Sequence, residues 1–198
     1  MASRAKKTGG KLIALTGVPG TGKTSVAAEL GRLGFHVVDL NALARGAGLV
    51  LSHDDADGSD EIDIDMLGKI ASAIAPLLGP YAVFEGHLAC EFPIPGAVAI
   101  VLRADPDAVR QRLGKRGYSK SKISKNAMSE MLDYCVIRAR ANYKKVFELD
   151  TTDASAAEIA QEIAAANFSK FSSDKVDWSR KLLDLDVREI VARKLAKI

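Results

Sequence analysis

Short apolar runs alternate with stretches of helical period along most of the chain. The runs at 12–17 (LIALTG), 35–38 (FHVV), 81–86 (YAVFEG), 97–102 (AVAIVL) and 146–150 (VFELD) have the length and composition of buried strands. Between them the spacing predicts helices over 23–33, 40–47, 65–78, 105–115, 124–145 and 155–166. Strands separated by helices run parallel, with helices covering both faces. The expected fold class is α/β, a three-layer sandwich around a parallel five-stranded sheet. Residues 1–10 read as a loose leader, 11–168 as the body and 169–198 as a helical extension that docks on the body or on a partner.

One internal stretch breaks the rhythm. Residues 52–63 (SHDDADGSDEID) are rich in acids, hold no Lys or Arg, and show no apolar period. They read as a solvated loop ending in the N-cap of the next helix, at Asp63 or Asp65, since carboxylates favour helix N-termini.

Composition narrows the class. With 198 residues, 47% hydrophobic and 27% charged, the chain is long enough for one domain with a sizeable core. The net charge of +3 does not call for a nucleic-acid partner, and no direct DNA binding is expected. Residues 103–125 nevertheless carry eight Lys and Arg against Asp105 and Asp107, a candidate anion-binding edge. The two cysteines, Cys90 and Cys135, have no CxxC partner and point to a reducing compartment. No apolar run approaches the length of a membrane span, so a cytoplasmic location without membrane contact is expected.

Function enters with GVPGTGKTS, residues 17–25, which satisfies G-x-x-x-x-G-K-[ST]. The glycines let backbone N–H groups turn inward around phosphates, Lys23 reaches the β and γ oxygens, and the Thr24 hydroxyl suits Mg²⁺. The match lies between an expected strand and an expected helix, whose positive dipole end adds to the anion site. A GTPase is disfavoured, because no strand ends in D-x-x-G and no N-K-x-D follows.

Three further segments carry a family resemblance: NALARGAGL (41–49), EGHLACEFP (85–93) and the run from VLRADPDAV into KRGYSKSKISKNAMSEML (101–132). With the proline-containing phosphate loop, they make residues 12–150 resemble the adenylate kinase isoenzyme 6 family. These are atypical nucleoside-monophosphate kinases, also described as ATPases that assist small-ribosomal-subunit assembly. The resemblance implies that Gly20, Gly22, Lys23, Thr24 and Ser25 hold the ATP phosphates. It implies that Arg45, in an acceptor-binding region at 39–62, grips the acceptor phosphate. Arg116, in a short lid at 115–125, would contact ATP, and Arg112, one turn earlier on the same helix face, the base. Arg103 and Arg138 stay open between ligand contact and surface or structural charge.

The same resemblance assigns an acid-x-His signature to Glu85, Gly86 and His87. Glu85 departs from the aspartate of eukaryotic relatives, and its extra methylene favours holding Mg²⁺ through a water over direct ligation. His87 would position water or contact the acceptor, and is tied to ATP hydrolysis in the family. A zinc site is disfavoured, since His36 and His53 lack paired ligand spacings. The resemblance therefore implies an Mg²⁺-dependent enzyme converting ATP and a nucleoside monophosphate, AMP first, to two diphosphates, with ATPase activity beside it. The rivals are an ATPase switch with a small-subunit ribosomal protein as partner, and a small-metabolite kinase of the gluconate or shikimate type.

Overall fold

β1 (Lys11–Thr16) is fully buried from Ile13 onward and forms the centre of the sheet. The computed structural model describes residues 10–54 and 58–185, so most of the expected leader and the end of the extension lie outside the described residues. β1 pairs in parallel with β5 (Tyr81–Glu85) on one side and β6 (Val98–Arg103) on the other. β2 (His36–Asp39) flanks β5, and β7 (Val146–Asp150) flanks β6, which gives the order β2-β5-β1-β6-β7. All five expected strands are present in one parallel sheet.

Side-chain alternation along β1 divides the core. Ile13 and Leu15 pack with Val26, Leu30, Ile159 and Ile163, from α1 (Lys23–Arg32) and α7 (Ala156–Ala165). Ala14 faces the opposite layer of Leu40, Leu67, Val109 and Val136, from α2 (Leu40–Gly46), α3 (Ile64–Ile74), α4 (Pro106–Lys115) and α6 (Tyr134–Asn142). The helices start where capping chemistry allows. Asp39 accepts from the Asn41 and Ala42 amides, Asp63 from Met66 at 2.9 Å, and Ser155 with Glu158 forms a capping box.

Two expectations are corrected. The acidic loop is a hairpin, in which β3 (Val50–Asp54) pairs antiparallel with β4 (Ser59–Ile62). Every residue of β3 is exposed, so neither face needs apolar residues and the alternation that marks a half-buried strand is missing. The signal that was there is Gly58, which enters β4 at φ 55°, a backbone conformation that favours glycine.

The single helix expected over 124–145 is two, α5 (Lys120–Met131) and α6, broken at Asp133 with φ 54°. No Gly or Pro marks that break. It is imposed from outside, because the Asp133 carboxylate pairs with the buried Arg103 guanidinium. The segment 115–125 accordingly spans the end of α4, a turn at Gly117, and the first turns of α5.

Candidate functional site

Gly17 leaves β1 at φ 135°, where a side chain is strained and a Cβ would collide with the Leu102 carbonyl. The phosphate loop that follows is tied to itself. Val18 O accepts from the Thr21 hydroxyl at 2.9 Å and from Lys23 Nζ at 3.0 Å. Gly22 at φ 93° is the N-cap of α1 and offers no capping side chain, so the helix's first amides stay available to an anion. Burial lowers the Lys23 pKa, with Arg116 acting in the same direction and Glu85 against it.

Parallel pairing then brings a second chain segment to the loop. Glu85 ends β5 in register with Leu15 of β1 and Asp39 of β2. Thr24 Oγ1 donates toward Glu85 Oε1 at 3.4 Å. Burial raises the Glu85 pKa, and the nearby Asp39 raises it further. A hydroxyl and carboxylates of this kind form a hard oxygen donor set that suits Mg²⁺.

Gly86 turns the chain at φ 154° beneath Leu40, and its amide donates to Leu15 O at 3.1 Å. His87 follows, its own carbonyl held by the Thr16 hydroxyl at 3.1 Å. The imidazole is open to solvent on the cleft side but crowded by protein on the others. That crowding, then Lys23, lowers its pKa to about 4, so it is neutral at physiological pH.

These groups line one cleft of about 510 Å³, a size suited to a small-molecule ligand. Lys23, Thr24, Glu85, His87, Arg45 and Arg116 all border it. Arg45 reaches it from α2 and stands 3.4 Å from Asp60 of the hairpin. A side pocket of about 190 Å³ adjoins the loop, bordered by Ser25, Arg112, Arg116, Thr151 and Ile159.

Arg112 borders this side pocket with its guanidinium engaged by backbone carbonyls. It donates to Gly20 O at 3.2 Å, Thr151 O at 2.8 Å and Thr152 O at 2.9 Å, clamping the phosphate loop to the β7–α7 connection. Arg103 is 1% exposed and bound to Glu130, Asp133 and Glu148, away from the cleft. Arg138 pairs with Glu91 at 2.8 Å on the surface. Both arginines left open by the sequence thus carry structural charge. Cys90 and Cys135 are buried free thiols.

Sequence reasoning missed Asp39, Asp60, Tyr118, Lys122 and Asn126, all of which border the cleft. Asp39 was signalled by its place at a strand's C-terminal end, where open α/β sheets gather ligands. Lys122 lay inside the basic run already noted. Among the described residues no helix is long and apolar enough to cross a membrane.

The phosphate loop, the parallel sheet and the shared cleft define a phosphotransferase of the P-loop kinase class. A family described as "AAA domain" matches residues 13–133, more than half of the chain. A protein of Pyrococcus abyssi named "Putative adenylate kinase" is 38% identical over 173 residues, 85% of this chain and 91% of its own length. One of the same name from Archaeoglobus fulgidus is 35% identical over 179 residues, covering 87% and 94%. Shikimate kinase from Acinetobacter baumannii has the same fold, with a TM-score of 0.52 at 18% identity over 77% of this chain and 90% of that one. The chain belongs to the AAA-domain P-loop family, in the group that holds these archaeal adenylate-kinase-named proteins.

Proposed function

We propose that the chain transfers the γ-phosphoryl of ATP·Mg²⁺ to a nucleoside monophosphate, with AMP the first acceptor. The observation that carries the reading is that Arg45, from α2, and Arg116, from the end of α4, border the same cleft as Lys23 and Glu85. The adenylate-kinase-named relatives point the same way.

Each residue's part follows from position and charge. Lys23 exchanges the Val18 carbonyl for the β and γ oxygens, and the loop amides cradle the same phosphates. Thr24, and Glu85 through a water, would hold Mg²⁺, which would supply charge neutralisation on the phosphate oxygens. Arg45 trades Asp60 for the acceptor's phosphate. The side pocket beside Ser25 and Arg112 takes the base of ATP. The lid segment 115–125 carries Arg116 onto the transferring group and excludes water.

A monophosphate attacks as an oxyanion: the bond from the γ phosphorus to its bridging oxygen breaks as the new P–O bond forms, and no proton has to leave. Water as acceptor must lose one. We assign that part to His87, which is neutral and borders the cleft, and with it ATP hydrolysis as a second activity. A role in small-ribosomal-subunit assembly, with a ribosomal protein as partner, would use that hydrolysis.

The test follows ADP formation from ATP and Mg²⁺ alone, with AMP, and with a purified small-subunit ribosomal protein. AMP-dependent production of two ADP per AMP supports the kinase. Turnover that rises only with the protein partner overturns it in favour of the switch. Phosphorylation of shikimate or gluconate but of no nucleoside monophosphate would move the acceptor to a small metabolite.

A further inference from the structure

The proposed reaction needs Arg116, at the tip of α4, to be held over the cleft that Lys122 of α5 also borders, and the arm they share is seated mid-length by Val109, Leu113 and Arg112 and joins the body at two roots. α4 starts at the Asp105 N-cap, and α5 ends at Glu130 and Met131. One continuous segment near the C-terminus touches both roots.

After α7, Phe171 packs edge-on against Phe147 of β7 at 5.1 Å. Ser173 Oγ accepts from the Glu148 amide at 2.6 Å, and the Asp174 amide donates to Glu148 O at 2.9 Å. The Asp150 amide donates to Asp174 Oδ2 at 2.8 Å. The segment therefore runs along the free edge of β7. It then leaves the sheet. Trp178 Nε1 donates to Glu130 Oε1 at 3.1 Å, at the root of α5. Lys181 Nζ lies 2.6 Å from Asp105 Oδ1 and 2.6 Å from Asp107 Oδ2, at the root of α4.

Both contacts fall on groups that already fix the roots. Glu130 is 2% exposed and also receives Arg103 Nε at 2.7 Å and the Ala104 amide at 3.3 Å. Asp105 caps α4 through the Asp107 amide at 2.8 Å. Simple protection of the β7 edge would end with Asp174 and would need neither Trp178 nor Lys181.

We infer that residues 173–181 are a clasp across the roots of the α4–α5 arm, and that Trp178 and Lys181 are positioning residues for Arg116 and Lys122. Arg112 and Leu113 hold α4 mid-length, and the clasp adds to that hold at the root. A displacement of about 1 Å at Arg116 can cost about 10²-fold in rate. The clasp acts on turnover more than on nucleotide capture, because residues 173–181 make none of the hydrogen bonds that tie the phosphate loop to itself and to Arg112.

This inference rests on the proposed phosphotransfer for its kinetic arm, and a second arm is independent of it. Trp178→Phe keeps the ring and removes the N–H donor; Lys181→Met removes the charge; Lys181→Arg restores it. With ATP and AMP, we expect kcat to fall about tenfold in Trp178→Phe and Lys181→Met, with KM for ATP within about twofold and recovery in Lys181→Arg. Amide hydrogen exchange over 113–125 should accelerate in both impaired variants while exchange over 17–24 is unchanged. Unchanged kcat together with unchanged exchange at 113–125 would overturn the clasp. So would losses that track a fall in melting temperature and are not rescued by Lys181→Arg. A wild-type protein inactive toward every monophosphate would remove the proposed function, while the exchange arm would still decide the clasp.

Discussion

The Thr24 hydroxyl lies 3.4 Å from Glu85 Oε1 although 61 residues separate the two, because β1 and β5 are neighbours in a parallel sheet. That adjacency places a hydroxyl and a buried carboxylate beside the phosphate loop. It makes Glu85 a residue whose stability and functional effects oppose each other.

Glu85→Gln should raise the melting temperature of the nucleotide-free protein. Burial and Asp39 raise the Glu85 pKa above the usual 4.5, so above that pH the unfolded chain releases a proton that the folded chain tends to keep. Stability is therefore lost as pH rises, and an uncharged amide removes the loss. The same change should lower Mg²⁺-dependent turnover by about 10²-fold or more. Melting curves without nucleotide and rates across a Mg²⁺ titration check both halves.

Lys23→Ala should lower kcat by about 10²–10³-fold, the scale for losing one charge-stabilising donor. The measurement is ADP formation at saturating ATP. A variant with full turnover would remove the phosphate-loop assignment.

Arg45→Ala should raise KM for AMP by about 10- to 100-fold, the equivalent of roughly 1.5–3 kcal/mol for a hydrogen bond to a charged group. KM for ATP should stay near its wild-type value, since the role proposed for Arg45 is confined to the acceptor's phosphate. Initial-rate matrices in both substrates separate the two constants.

His87 sets an acid limit. Its folded pKa is about 4 against 6.5 in the unfolded chain, so between those values the unfolded state binds a proton that the folded state refuses. Stability is full above about pH 6.5 and falls as pH drops toward 4. His87→Gln should flatten that part of the profile, read as urea midpoints at pH 7, 5 and 4. It should also reduce hydrolysis of ATP alone by more than it reduces transfer to AMP.

Arg103→Met should destabilise the fold by about 3–5 kcal/mol, because the buried Glu130 would lose its cationic partner and Glu148 would be left to Arg140. Denaturant unfolding measures it, and an effect below about 1 kcal/mol would contradict the ion-pair reading.

The phosphate loop and the five strands were legible in the sequence because both are local: a fixed spacing of glycines and a lysine, and short apolar runs with helices between. The cleft positions of Arg45, Glu85 and His87 were legible through their place after strands, aided by the family resemblance. The hairpin was not, since a strand exposed on both faces carries no alternation. The break at Asp133 was not, since its cause is Arg103, at the end of another strand. Arg112 shows the same limit: helical spacing put it on the face of Arg116, while its actual partners are carbonyls from the loops at 20 and 151–152.

The hairpin has a consequence for how such a protein diversifies. Its two ends are joined by the bond from Asp63 N to Leu49 O at 3.0 Å and by the pairing of Val50 with Ile62, and its strands bury little of the core. This part of the cleft border can therefore be lengthened, shortened or recoded with little penalty to the sheet. A cleft wall carried on an exposed hairpin is open to drift and selection while the phosphate loop stays put.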